Sequence, residues 1–103
     1  MAKLTANGKH KVASVSYTTK PRTEMPNGGS EEHYTTFALR SDGAVLEAHT
    51  SVYRHKSDGG KYPHRMGGNY TIVGTLRTGL PITEETLRNL RVVKAYSNKY
   101  NER

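Results

Sequence analysis

A chain of 103 residues with no cysteine and a formal charge of +7 is long enough for one hydrophobic core and too short for two. The missing cysteine excludes a disulfide framework and a thiolate nucleophile, and makes a reducing compartment, the cytoplasm, the expected setting. Leu, Ile, Val and Phe total 17 residues, below the ~20% at which a charged chain begins to read as disordered; the core must be small, and a homodimer that extends it is one expectation.

The first five residues lack the apolar run of a signal peptide, and nowhere do 18 apolar residues follow one another, so no membrane is expected as a partner. Asn7-Gly8, between Leu4-Thr5-Ala6 and Lys9, suits the two positive φ angles of a type I′ turn and predicts an opening hairpin. From His10 to Thr19 the residues alternate, with Ala13, Val15 and Tyr17 on one face of a strand. Pro21, Pro26, Gly28 and Gly29 then interrupt any periodicity, which predicts a flexible loop over residues 20–32.

His33–Arg40 reads as a second strand, with Phe37 and Leu39 on one face. Ala44–His55 reads as a third, with Ala44, Leu46, Ala48 and Val52 turned to the core and Glu47, His49, Ser51, Tyr53 and His55 forming a polar face open for contact. Ser41-Asp42-Gly43 joins the two as a tight turn closed by a left-handed glycine. Residues 56–68 hold too many glycines and prolines for regular structure and predict a mobile hairpin loop before a strand over Asn69–Arg77. Thr83 is placed as an N-cap, Glu84 and Glu85 suit the positive end of a helix dipole, and Ile82 with Leu87 can staple the first turn. The helix would pack Leu87, Leu90 and Val93 on the sheet, although Arg91 to Tyr96 fits a final strand equally well; residues 98–103 read as a frayed tail. The expected fold is a single α+β domain: an antiparallel sheet of four to five strands with one C-terminal helix on one face.

The charge is segregated. Residues 1–22 carry +5, residues 23–53 carry −4 and residues 54–103 carry +6, a distribution that steers association with phosphates or acidic surfaces. Three basic sets stand out: Lys3, Lys9 and Lys11 near the start, then Arg54, His55, Lys56, Lys61, His64 and Arg65 around Tyr62, then Arg88, Arg91 and Lys94 at threefold spacing on the helix, joined by Lys99 farther on. Cations beside flexible glycines attract a nucleic-acid backbone, and a tyrosine among them can stack on a base. The same residues also suit a solvated loop and a solvated helix face.

Catalysis is the weaker reading. His64, Arg65 and Tyr62 comprise the groups of a metal-independent ribonuclease without any spacing that fixes their geometry. Glu47 and His49 match a metal-ligand pair and, equally, an ordinary surface hydrogen bond. No serine triad, phosphate loop or dinucleotide fingerprint occurs, so no catalytic residue, cofactor or metal is expected.

The segments LTANGKHKVA (Leu4 to Ala13) and FALRSDGAVL (Phe37 to Leu46) resemble those of small accessory proteins encoded by bacteriophages. The resemblance covers about a third of the chain and brings no active residues. It implies a short product acting in the host cytoplasm, on nucleic acid (DNA or RNA) or by inhibiting a host protein. The leading expectation is a non-enzymatic nucleic-acid-binding domain of weak sequence selectivity. The alternatives are a module that binds an acidic host protein and a minor structural or assembly protein.

Overall fold

Alternation of small polar and β-branched residues carries the first strand well past the residues that show it. In the computed structural model, which describes residues 12–26, 28–59, 61, 63–77 and 80–103, β1 runs over Val12–Glu24, β2 over Ser30–Arg40 and β3 over Ala44–Arg54. The three form an antiparallel meander, with Val15 opposite Phe37 and Leu39 opposite Val45. The outer edge of β3 is covered in two pieces by β4 (His64–Gly67) and β5 (Thr71–Thr75), and that of β1 by the short β6 (Asn101–Glu102). The expected hairpin around Asn7-Gly8 lies outside the described residues.

Several boundaries differ from those expected, each for an identifiable reason. The loop placed over residues 20–32 is a turn of residues 25–29 closed by Met25 N donating to the Gly29 carbonyl and Gly28 N to that of Met25. Pro21 sits inside β1 where β6 no longer reaches, so its missing N–H removes no ladder bond on that edge, and two register shifts between Thr18 and Thr23 absorb the irregular run. Within 56–68, Lys56–Asp58 is a 3-10 turn and His64–Gly67 is β4, paired with β3, so about half of the predicted loop is regular structure. The tail is likewise held. Asn101 and Glu102 pair with Thr18 and Tyr17, and the Arg103 amide donates to the Ser16 carbonyl over 2.7 Å.

The single helix divides into α1 (Glu84–Arg88) and α2 (Arg91–Ser97). Thr83 caps α1 as expected, its hydroxyl accepting from the Thr86 amide. At ~100° per residue, Leu87 and Val93 on one straight helix would point about 120° apart. The extended backbone of Leu90 (φ −69°, ψ 141°) breaks the helix, and both side chains are fully buried.

These helices lie on the face of Val15, Tyr17, Phe37, Leu39 and Val45, which with Leu87 and Val93 make the core. Val45, not Leu46 or Ala48, is therefore the residue β3 turns toward them. Glu47, His49, Ser51 and Tyr53 share that face beyond the helices, while Ala44, Leu46, Ala48 and Val52 are buried on the other. The expected assignment of the two faces of β3 is reversed, because alternation separates two sets without saying which one the helix covers.

The β2–β3 turn is as read. Gly43 N donates to the Arg40 carbonyl over 2.9 Å, and Asp42 is held by both Arg40 nitrogens and accepts from the Ala44 amide. Gly43 has φ +90°, and an added Cβ would stand 2.5 Å from the Leu76 carbonyl oxygen. Gly43→Ala is expected to cost about 2 kcal/mol from backbone strain, a fall in Tm of roughly 8–16 °C; thermal unfolding with an unchanged midpoint would contradict this account of the turn.

Candidate nucleic-acid interface

The hairpin register brings three separate cationic segments to one end of the sheet. Ser30 lies opposite both Glu24 and Arg54, so the end of β1, the start of β2 and the end of β3 converge there. Arg22 Nε donates to Ser30 Oγ over 3.1 Å. The Lys56 stem crosses Gly28, whose φ of +87° and missing Cβ make room for it. Between them lies an open cleft of about 460 Å³ lined by Arg22, Glu24, Gly28, Arg54, His55 and Lys56 among others. Arg65, opposite Val52 on β4, is a diagonal neighbour of Arg54 on the same face, a Cα spacing of about 7–8 Å.

Ion pairing sorts the cations. Lys20 is held by Glu31, Arg40 by Asp42, Arg54 by Glu32 over 3.0 Å, and Arg103 by Glu32 over 3.6 Å, its guanidinium 3.8 Å from the Tyr34 ring centroid. Most of the central acidic segment is thus neutralised within the sheet. Arg22, Lys56, Lys61 and Arg65 have no carboxylate partner among the described residues, and neither have Arg77, Arg91, Lys94 and Lys99, which lie on β5's exit and on or after α2. Among the described residues Glu24 is the one carboxylate lining the cleft, against Arg22, Arg54 and Lys56.

The expected helical set does not join this group. Arg88 is tied to Glu84 (2.9 Å) and Glu102 (2.8 Å), and the break at Asn89-Leu90 separates it from Arg91 and Lys94 on α2. Tyr96 of α2 meets Phe37, opposite Glu47 on β3, seven residues or about 23 Å of strand from Arg54. Arg88 of α1 meets Glu102 at the level of His49, five residues or about 17 Å from Arg54. Both exceed the ~8–10 Å over which exposed charges act in physiological salt. Lys3, Lys9, Lys11 and Tyr62 lie outside the described residues. Sequence reasoning passed over Arg22 as a site residue, the alternation of Lys20 and Arg22 just before a proline- and glycine-rich turn being the only signal for it, whereas Tyr53 and His55 were read on the polar contact face of β3.

The Arg88–Glu102 pair fastens β6 to α1. Hydrogen bonding from Arg88 holds the Glu102 carboxyl below the usual carboxylate range, outweighing the opposing effect of desolvation. A depressed carboxyl pKa stabilises the fold above its unfolded value and ceases to do so as pH falls through the folded one. The β6 amides are therefore expected to lose protection, relative to the intrinsic exchange rate at each pH, as the medium is acidified below about pH 4, and Arg88→Gln to produce that fraying already at neutral pH. Hydrogen exchange read by NMR checks both, and identical exchange in the variant would remove the pair from this role.

On the opposite side of the same sheet end, Tyr53 stands across from His64. The His55 and His64 rings meet edge to face at 4.8 Å, and His33 and Tyr53 at 6.3 Å. A second, mainly apolar cleft of about 280 Å³ is lined by Met25, Tyr53, Arg54, His55, His64 and Met66. Both clefts include Arg54 and His55, so they meet at the rim.

Neither Glu47–His49 nor the histidine pair forms a metal centre here: no group of three His, Asp or Glu among the described residues is placed to hold an ion. His49 Nε2 is 2.8 Å from Glu47 and Nδ1 2.8 Å from the Thr35 hydroxyl, so both ring nitrogens are engaged. No helix among the described residues is long and apolar enough to cross a membrane. Comparison with protein-family models, with curated proteins and with solved structures gives no match.

Proposed function

We propose that this protein binds nucleic acid without transforming it, chiefly through phosphate contacts from Arg22, Lys56 and Arg65 at the end of the sheet, with weak sequence selectivity. One observation carries the reading: strand register gathers Arg22, Lys56 and Arg65, none of them paired with a carboxylate among the described residues, at one end of the sheet around an open cleft, whereas the unpaired Arg91 and Lys94 stand apart on α2. Glycines in the wall let a backbone approach closely, and open walls suit a chain that passes through better than an enclosed small molecule.

A mobility-shift assay with duplex DNA, single-stranded DNA and RNA at about 50 and 200 mM salt tests this. Log K is expected to fall with log salt by ~0.7 to 0.9 per phosphate neutralised. Absence of binding at the lower salt would remove the proposal.

A further inference from the structure

Phosphate contacts alone do not distinguish a duplex from a single strand; the ring-lined cleft beside the cationic one does. Resting on the nucleic-acid reading above, we propose that the strand bound at this end is single, with one base seated among Tyr53, His55, His64 and Met66 while its phosphates lie on Arg22 and Lys56.

The geometry supplies both halves of such a site. Successive residues of β3 point to opposite faces, so Arg54 turns toward the cationic cleft and Tyr53 toward the apolar one, and His55 lines both. A chain crossing the rim at Arg54 and His55 passes from one to the other. The second cleft, at about 280 Å³, is close to the lower end of small-molecule sites and offers ring edges and thioether walls, surfaces that receive a flat aromatic group. Met66, 61% exposed, gains a partner in this arrangement.

A duplex presents base edges in its grooves and keeps base faces stacked on one another. Only an unstacked base can lay its face against protein rings. The sugar is not read by any of these contacts, so single-stranded DNA and RNA share the required chemistry.

The test is a set of fluorescence-anisotropy titrations of the intact protein at low salt with four labelled probes of equal length: oligo-dT, oligo-rU, an abasic deoxyribose-phosphate strand and a duplex. At least one base-bearing single strand is expected to bind about tenfold or more tightly than the abasic strand and the duplex. Equal affinity for all four overturns the inference and leaves the phosphate reading intact, whereas no binding of any probe removes both. His64→Ala and Met66→Ser, both exposed positions on β4, are expected to weaken the base-bearing strand severalfold without changing the abasic one. An unchanged affinity for the base-bearing strand in both variants also overturns it.

Discussion

Reversing three charges together, as Arg22→Glu, Lys56→Glu and Arg65→Glu, is expected to weaken nucleic-acid binding by roughly a hundredfold at low salt. Each exposed cation contributes up to ~1 kcal/mol against a phosphate, and three such contacts amount to about two orders of magnitude. The salt slope should also flatten by about 2 to 3, as three counterions are no longer displaced. The control is Arg91→Glu with Lys94→Glu, which changes the charge by four units against six, on α2, about 23 Å of strand away. That control should retain most of the affinity. If the two variants lost affinity equally, net charge rather than the cleft would govern binding. Circular dichroism should show both folded, because none of the five side chains belongs to the core.

Phe37→Ala is expected to remove about 3–5 kcal/mol of stability. Phe37 is wholly buried, stands opposite Val15 on β1, and meets the Tyr96 ring edge to face at 5.0 Å and that of Tyr17 at 6.4 Å. With Tyr17, which also meets Tyr96, it is a contact through which sheet and helices share a core. A domain of this size has on the order of 5–15 kcal/mol in all, so the variant should unfold at far lower denaturant concentration. Tyr17→Phe is the informative contrast. The Tyr17 hydroxyl is buried with no hydrogen-bond partner among the described residues, and desolvation raises its pKa, so losing it should leave stability unchanged or raise it by up to ~1 kcal/mol. Urea unfolding of the two variants checks the pair; a loss below about 1 kcal/mol for Phe37→Ala would show that the core does not depend on this ring.

Two kinds of signal in the chain led to correct local structure. Tight stereochemical demands were one: Asp42-Gly43 could hardly be anything but a closing turn, and Thr83 followed by two glutamates marked a helix start whose cap bond is present. Alternation was the other, and it placed β2 and β3 to within a few residues. Breakers misled, because Pro21 and the glycines of 56–68 were weighed as if each needed a complete ladder on both edges. At a sheet edge, or where a strand is interrupted by bulges, that requirement is relaxed. The short Leu90 break lay beyond local reading for a different reason: it is set by the need to aim Leu87 and Val93 at the same sheet.

From residues alone, then, came an antiparallel α+β chain with a small core, a strong positive charge and a cationic segment after β3, because backbone propensity, turn chemistry and charge are properties of short stretches. Which cations act together was decided by tertiary structure. Strand register placed Arg22 beside Lys56, carboxylates of β2 absorbed Arg54 and Arg103, and the packing of α1 against β6 drew Arg88 into an ion pair. Electrostatic partnership depends on distances of a few ångströms between residues remote in the chain. Those distances exist only once the strands have paired.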